Sequence, residues 1–394
     1  MPKISPTLNC INKVNERKNK GLPIYNFGLG ANPIDQPEKY IDNVKKFSHK
    51  KEYTSAKGID ELNEVIKKTF TTENYMVENV LVGNGLKELL FIIQLCFKGK
   101  IYHVTPSWVS YKEQIDILNK TNDLIEIETT IENSYKINPK KLDEILNRNK
   151  NESKLIIFNN PNNPTGLIQN PDEVKEIAHV LKKHNCIVFA DEIYFNISHF
   201  NSICSISDYI PELTIRGSSV SKDLGCGGYR IGWVTFPKQL NNFYLECLSV
   251  SSSIYSCAAT PLQYATCEIL KNTDIINNHC KYQNNIYSTL VSKVCNILDK
   301  SNLKYVKPNA AWYIFINFDY YKEKITVDNS IKLNNFLLDK FGIVGVAGEC
   351  FNSKGLNIRF SLVEIDTNNL DDFDLAFKKI LEGFNILVKY FNSL

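Results

Sequence analysis

Residues 154–194 read KLIIFNNPNNPTGLIQNPDEVKEIAHVLKKHNCIVFADEIY and show the clearest structural pattern in the chain. Two apolar runs, residues 154–158 and 186–190, are rich in β-branched and aromatic side chains, which is typical of strands buried on both faces. Between them, residues 171–183 repeat apolar side chains at spacings of three and four, which predicts an amphipathic helix. The stretch therefore predicts two strands connected by a helix.

The same alternation extends over about residues 80–240. Further apolar runs, each predicted to be a strand, lie at residues 79–83, 100–104, 213–216 and 231–236. Strands that alternate with helices indicate an α/β fold: a mostly parallel central sheet with helices on both faces. Ligands of such sheets bind beyond the carboxyl ends of the strands.

The two ends of the chain have a different pattern. The later part contains a helical stretch at residues 260–299, strands at residues 310–317 and 357–363, and a terminal helix at residues 368–394. Together with the first forty or so residues, these elements predict a smaller α+β domain. We expect a large domain at residues 46–285 and a small domain formed by residues 1–45 and 286–394.

The amino-acid composition is typical of a globular protein and gives no sign of nucleic-acid binding, a membrane span or a metal site. Hydrophobic residues make up 43% of the 394 residues, which is enough for a sizeable core. The net charge of +3 gives no reason to expect nucleic acid as a partner. No run of about 18 apolar residues predicts a membrane span. The 11 cysteines lack the short spacings of zinc or redox sites, so we expect reduced thiols and a cytoplasmic protein. The 6 histidines lack metal-ligand spacing, so we expect no metal.

The most informative motif is residues 217–233, GSSVSKDLGCGGYRIGW. Lys222 follows a predicted strand, and Arg230 comes eight residues later among small residues that let the backbone approach a ligand. Arginine is scarce, at five of the 46 basic residues, and its planar fork suits a phosphate. A lysine among cations has a lowered pKa, as an amine that attacks a carbonyl needs.

Two further motifs end predicted strands. Residues 159–166, NNPNNPTG, follow one strand and, taken alone, could be an ordinary turn. Asp191 and Tyr194 follow the strand at residues 186–190, which places a carboxylate and a phenol at the same edge of the sheet. A helix cap is the structural alternative for Asp191.

Taken together, these residues resemble the class I/II aminotransferases, which are pyridoxal-phosphate enzymes of fold type I. Four motifs occur in the order and at the spacing of that family: Asn-Pro-Thr-Gly at 163–166, Asp-x-x-Tyr at 191–194, Ser-x-Ser-Lys with a later Arg at 219–230, and Asn-x-Arg-Phe at 357–360. The resemblance covers nearly the whole chain and is closest to the bacterial aspartate aminotransferases. It implies that pyridoxal 5'-phosphate is the cofactor.

The resemblance also implies roles for single residues. Lys222 would form the Schiff base with the cofactor, Asp191 would pair with the pyridine nitrogen, and Tyr194 and Asn163 would hydrogen-bond the phenolic oxygen. The phosphate would be held by Ser219, Ser221, Arg230 and the loop Gly85-Leu86-Lys87, which leads into a helix. Trp108 would stack on the ring, although ordinary core packing is its alternative. Tyr53 would reach the cofactor of a neighbouring subunit, which implies a homodimer.

The substrate residues follow from the same resemblance. Arg359 would grip the α-carboxylate with two parallel bonds, and Gly30 and Asn163 would line the substrate pocket. Ala31 and Asn32 depart from the family pattern, which usually begins with Glu-Pro at this place in the sequence. Lys87 matches a lysine that contacts the distal carboxylate of aspartate or glutamate, and a helix-surface charge is the equally weighted alternative.

The predicted reaction moves an amino group between an L-amino acid and a 2-oxo acid, with Lys222 as general base. The amino donor stays open between an acidic and an aromatic amino acid. Two alternatives remain: a pyridoxal-phosphate lyase or cyclising enzyme that acts on a sulfur amino acid, and a non-catalytic sensor with an aminotransferase-like fold. A product assay separates the first from an aminotransferase, and a lack of turnover with every amino donor would favour the second.

Overall fold

A computed structural model describes residues 14–199 and 203–394. Its strands are β1 (Tyr25–Asn26), β2 (Asn79–Gly83), β3 (Lys100–Thr105), β4 (Leu124–Glu128), β5 (Lys154–Asn159), β6 (Ile187–Asp191), β7 (Thr214–Ser219), β8 (Gly232–Phe236), β9 (Lys304–Tyr305), β10 (Tyr313–Asn317), β11 (Ile343–Val344), β12 (Val346–Ala347) and β13 (Asn357–Ser361). Its α-helices are α1 (Glu38–Phe47), α2 (Asp60–Phe70), α3 (Leu86–Cys96), α4 (Val109–Ile117), α5 (Pro139–Asn147), α6 (Pro171–Lys183), α7 (Val220–Asp223), α8 (Asn241–Tyr255), α9 (Thr260–Leu270), α10 (Thr273–Leu298), α11 (Lys322–Ile325), α12 (Ser330–Phe341), α13 (Phe373–Ala376) and α14 (Lys378–Asn392).

The central sheet confirms the predicted α/β fold. Its strands run in the order β2-β8-β7-β6-β5-β3-β4. Neighbouring strands pair in parallel from β7 through β6, β5 and β3 to β4, whereas β8 pairs antiparallel with both β2 and β7. Separate apolar clusters pack around the sheet, as a sheet covered by helices on both faces requires.

Helix α6 matches its predicted bounds of residues 171–183. The Asn170 side chain accepts a hydrogen bond from the Glu173 backbone N–H, and the Glu173 side chain accepts one from the Asn170 backbone N–H, which forms a capping box. Pro171 occupies the first helical position, where a missing N–H has no cost. Local chemistry therefore determines where this helix begins.

Four sequence-based expectations need correction. Strand β4 was missed, because it is a partly exposed edge strand without a continuous apolar run. Strand β10 begins at Tyr313 instead of residue 310, because Ala311 has a φ of 53° and interrupts an extended backbone. The helical stretch at 260–299 is divided into α9 and α10. The terminal helix begins at Lys378 and follows the short helix α13.

A second sheet, in the order β12-β13-β10-β9, is antiparallel throughout. One apolar cluster joins it to β1, α10, α12 and α14. The division into domains at 45/46 and 285/286 stays a prediction. The second of these boundaries falls within the continuous helix α10, and residues 1–13 of the predicted small domain lie outside the described part of the chain.

Within residues 14–199 and 203–394, no helix is both long enough and apolar enough to cross a membrane. The longest, α10, has 26 residues and carries asparagine, lysine and glutamine side chains along its length.

Candidate active site

A cavity of about 510 Å³ opens at the carboxyl ends of β5, β6 and β7. These strands end at Asn159, Asp191 and Ser219, and all three residues line the cavity. Helix α3 contributes Lys87, and β13 of the second sheet contributes Arg359. The two sheets therefore meet at one site, at the sheet edge where the sequence predicts a ligand.

The structure brings most of the predicted site residues together. Those that line the cavity are Gly30, Leu86, Lys87, Trp108, Asn163, Asp191, Tyr194, Ser219, Ser221, Lys222, Arg230 and Arg359. Gly85 lies just behind them, at the start of α3, with a φ of 91°, and any side chain there would collide with the Arg230 guanidinium. Tyr53 is outside the cavity and is 89% exposed, so its role toward a neighbouring subunit stays a prediction.

Lys222 lies in the short helix α7 directly after β7. Ser219 caps this helix by accepting a hydrogen bond from the Ser221 backbone. The Lys222 Nζ atom donates a hydrogen bond of 2.8 Å to the Gly30 carbonyl oxygen and lies 5.8 Å and 5.7 Å from the ring centres of Tyr194 and Trp312. None of the carboxylates of the described residues forms an ion pair with this amine, so it is available for chemistry in the cavity.

Asp191 is buried at the end of β6. Its Oδ2 atom accepts a hydrogen bond of 2.6 Å from the Tyr111 hydroxyl, and its Oδ1 atom accepts one of 3.2 Å from the Ile193 backbone. Burial raises the pKa of Asp191 to about 6, and both hydrogen bonds oppose this rise. Within the described residues it has no cationic partner in hydrogen-bond contact, so a ligand cation such as a protonated ring nitrogen would stabilise its ionised form.

Arg359 is buried at 6% exposure on β13. Its Nη1 atom donates to Asn163 Oδ1 and its Nη2 atom to the Gly28 carbonyl oxygen, each at 3.0 Å. The rings of Tyr313 and Phe351 lie 4.6 Å and 5.0 Å from the guanidinium carbon. Its Nε atom has no hydrogen-bond partner, and no carboxylate of the described residues pairs with it. Because an unpaired buried charge is costly, this guanidinium suits an anionic ligand.

A second part of the cavity lining, around Arg230, forms a cradle for an anion. Arg230 has a φ of 52°, and its Nη1 and Nη2 atoms donate hydrogen bonds of 2.8 Å to the Gly227 and Asn84 carbonyl oxygens. These bonds hold the guanidinium at the beginning of α3, where free backbone N–H groups attract anions. The hydroxyl groups of Ser219 and Ser221 line the same cavity. This donor set fits a phosphate group.

The turn at residues 159–166 positions one further side chain. Asn159 donates to the Asp191 carbonyl oxygen at 3.0 Å and accepts from the Asn163 backbone at 2.8 Å, which joins this turn to the end of β6. The Asn163 side chain bonds Arg359, whereas the Tyr194 hydroxyl lies 2.6 Å from the Tyr313 hydroxyl. Both residues line the cavity, and their contact with a cofactor oxygen stays a prediction.

Sequence reasoning gave no role to Tyr111, Tyr313 and Asn32, which also line the cavity. Tyr111 comes three residues after Trp108, so helical spacing could have placed both on one face. The two rings do meet, at 5.5 Å between centres. Tyr313 and Asn32 reach the site only through tertiary contacts, and no motif marks them.

Comparisons with known proteins agree with this geometry. The family described as "Aminotransferase class I and II" matches residues 23–373. The chain is 30% identical to a probable aspartate/prephenate aminotransferase of Aquifex aeolicus, over 92% of this chain and 93% of the relative. It is 27% identical to an aspartate aminotransferase of Bacillus sp. (strain YM-2), over 94% and 96% of the two chains.

Solved structures show the same fold at low identity. An aspartate aminotransferase from Thermotoga maritima aligns with a TM-score of 0.85 at 23% identity, over 99% of this chain and 98% of that one. An aromatic aminotransferase from Pyrococcus horikoshii aligns with a TM-score of 0.82 at 22% identity, over 97% and 100%. From the family match over most of its length, the chain belongs to the class I and II aminotransferases.

Proposed function

We propose that this aminotransferase uses pyridoxal 5'-phosphate to move an amino group from an acidic L-amino acid to a 2-oxo acid. One observation supports the proposal above all others. The amine of Lys222, the buried carboxylate of Asp191 and the buried guanidinium of Arg359 line a single cavity, and no ion pair joins any of the three to a described residue. Each of these three groups therefore lacks a counter-charge, which a group of the cofactor or the substrate would supply.

The residues present fit the cofactor. Asp191 would hold its ring nitrogen, Arg230 with Ser219 and Ser221 would hold its phosphate, and Lys222 would attach it. The Asp191 carboxylate supplies the negative charge that a protonated ring nitrogen needs in a buried site. When bound, the cofactor supplies an electron-poor ring that accepts the electron pair of the breaking bond at the substrate Cα.

The chain's own residues would then bind the substrate and move its proton. Arg359 keeps free N–H donors, including Nε, which would bind the α-carboxylate and orient the Cα–H bond. The Lys222 amine takes the α-proton as general base. The Gly30 carbonyl oxygen, 2.8 Å from Nζ, accepts a hydrogen bond from the resulting ammonium and holds it in place.

Charge supports an acidic donor. The described residues that line the cavity include the cations Lys87, Lys222, Arg230 and Arg359, against the single carboxylate of Asp191. Once the other three cations are assigned to the cofactor and the α-carboxylate, Lys87 remains for a second carboxylate. Lys87 is an exposed residue, and its Nζ atom lies 4.8 Å from the Trp108 ring centre. The relatives named for aspartate support the same choice.

An aromatic donor is the second candidate. The rings of Trp108, Tyr111, Tyr313 and Phe351 line the same cavity and provide an apolar surface for an aromatic side chain. The rates of amino-group transfer from aspartate and glutamate, compared with those from phenylalanine and tyrosine, separate the two candidates.

The test of the reaction begins with purified protein loaded with pyridoxal 5'-phosphate. Amino acids are added one at a time, and the change in cofactor absorbance is followed, with Lys222→Ala as the inactive variant and exposed Lys175→Ala as its matched control. We expect aspartate or glutamate to change the spectrum and a 2-oxo acid to restore it. Pyruvate and ammonia released from a sulfur amino acid without an acceptor would instead identify a lyase. A spectrum unchanged by every donor would favour a sensor.

We also propose that the working unit is a homodimer in which Tyr53 completes the neighbouring site. Support comes from the exposed Tyr53 ring. Co-expressed subunits carrying Lys222→Ala and Tyr53→Ala test this directly, because each mixed dimer would keep one intact site. Activity should reappear in the mixed dimer although both parent variants are impaired. A mixed dimer no more active than its parents would contradict this role of Tyr53.

A further inference from the structure

The side-chain amide of Asn32 is buried and makes four hydrogen bonds. Its Nδ2 atom donates to the Lys222 carbonyl oxygen at 3.2 Å and to Gln283 Oε1 at 2.5 Å. Its Oδ1 atom accepts from the Ile34 backbone at 3.1 Å and from the Tyr287 hydroxyl at 2.8 Å. An amide has two donor hydrogens and two acceptor lone pairs, so its capacity is fully used.

Two of the partners of Asn32, Gln283 and Tyr287, are themselves fixed by burial and by further contacts. Gln283 and Tyr287 are fully buried and lie one turn apart on α10. The Gln283 Nε2 atom also donates to the Asp223 carbonyl oxygen at 2.5 Å. Helix α10 is thus bonded both to Asn32 and to the backbone that carries Lys222. A buried polar network with every member satisfied is rigid, and the loss of one member leaves several unpaired groups.

The segment around Asn32 contacts two of the proposed site residues. The Gly30 carbonyl oxygen accepts from Lys222 Nζ, and the Gly28 carbonyl oxygen accepts from Arg359 Nη2. The loop after Lys222 packs closely on the same segment, because a Cβ atom at Gly225 would lie 2.7 Å from the Ile34 carbonyl oxygen. Asn32 is therefore bonded to the backbone of Lys222, while the tip of Lys222 is bonded to the segment that carries Asn32.

We propose that Asn32 is a positioning residue, which sets where the Lys222 amine lies relative to the bound substrate. The proposal rests on the proposed role of Lys222 as general base. Asn32 acts through the Lys222 backbone and through Gly30, and it does not itself take part in proton transfer. Arg359 bonds Gly28 of this segment but also Asn163 outside it, so binding of the α-carboxylate depends less on Asn32 than proton transfer does.

The test is Asn32→Asp in the cofactor-loaded protein. The new side chain has the same shape, but it lacks both donor hydrogens and sets a carboxylate against the Lys222 carbonyl oxygen and Gln283 Oε1. We expect kcat to fall about 10- to 100-fold, because a misplaced reacting group has a cost of that order, while KM for the amino donor changes less than about threefold. The pH midpoint of the cofactor absorbance should shift, and residues 28–34 should exchange amide hydrogen faster.

A matched control is Asn317→Asp on β10, another buried amide with hydrogen bonds to its neighbours, which does not line the cavity. It should lower the unfolding temperature without a shift in the absorbance midpoint. Tyr287→Phe removes one bond to Asn32 by a smaller change, and it should shift kcat and the midpoint in the same direction as Asn32→Asp, but less. This variant keeps the proposal testable if Asn32→Asp does not fold.

Two failures can be told apart. If the wild-type protein lacks cofactor absorbance and turnover, the proposed function fails. If the wild-type protein turns over but Asn32→Asp and Tyr287→Phe keep its kcat and absorbance midpoint, the proposed role of Asn32 is wrong. Equal changes in the Asn32 and Asn317 variants would also overturn it, because they would reflect stability alone.

Discussion

Tyr111 and Asp191 form a buried hydrogen bond of 2.6 Å between the phenol hydroxyl and Oδ2. Burial raises the pKa of Asp191 to about 6, and this hydrogen bond is the largest influence that opposes the rise. The phenol therefore favours the ionised carboxylate in a site whose burial favours the neutral acid. Tyr111 also contacts the Trp108 ring and, like it, lines the cavity in which the cofactor is proposed to bind.

Tyr111→Phe should raise the pKa of Asp191 above its present value. A hydrogen bond to a charged group contributes about 1.5–3 kcal/mol, which corresponds to a rise of about one to two pKa units. As the pH is lowered, the affinity of the variant apoprotein for the cofactor should therefore begin to fall at a higher pH than that of the wild type. Binding titrations across pH 5–8 measure this, since the cofactor phosphate titrates identically in both. The buried Tyr102→Phe serves as control, and an unchanged pH dependence would contradict the role of Tyr111.

Asp191→Asn should stabilise the apoprotein while it abolishes cofactor-dependent activity. The folded pKa of about 6 lies above the ordinary value of 3.8, so the folded state holds this proton more tightly than the unfolded state does. The resulting loss of stability grows from about pH 4 and is complete above about pH 6, where it amounts to about 3 kcal/mol. Asparagine cannot ionise and escapes this loss.

Urea unfolding of the apoprotein at several pH values measures this difference. The gap between Asp191→Asn and wild type should widen as pH rises from 4 to 6 and then stay constant. Asp274→Asn, at an exposed position, should show no such trend. A variant less stable than wild type at pH 7 would mean that the Asp191 carboxylate stabilises the apoprotein.

Arg359→Lys should weaken substrate binding although the charge is kept. The guanidinium presents a planar fork, and its Nη atoms are already held by Asn163 and Gly28, whereas an ammonium cannot make the same parallel bonds. We expect kcat/KM to fall by an amount equivalent to about 2–5 kcal/mol, with cofactor absorbance retained. Steady-state kinetics with the preferred donor test this, and the exposed Arg148→Lys should behave as wild type.

Lys87→Met should change which donors are accepted. The substitution keeps the length of the side chain and removes its charge, so a second carboxylate loses a charge-assisted hydrogen bond of about 1.5–3 kcal/mol. We expect kcat/KM for aspartate and glutamate to fall about tenfold or more, with little change for phenylalanine. The wild-type preference for acidic donors should also weaken with added salt. An equal loss for both classes of donor would reject Lys87 as the residue that selects acidic substrates.

Local patterns predicted much of this architecture. Strand β2 and helix α6 lie at the predicted residues. The apolar run of the strand and the Asn170 cap of the helix are signals that span only a few neighbouring residues, so the sequence alone shows them. Strand β4 and the turn at Ala311 were not predicted. The first has no apolar run of its own, and the second is a backbone conformation that alanine does not signal.

The sequence by itself determined which chemical groups the site contains, because Lys222, Asp191, Arg230 and Arg359 lie in motifs whose spacing is local. Only the tertiary structure decided what surrounds them. Asn32 meets Lys222 across 190 residues, and Tyr313 meets Tyr194 across 119. Such contacts depend on how segments far apart in the chain pack together, and no short-range periodicity records that packing.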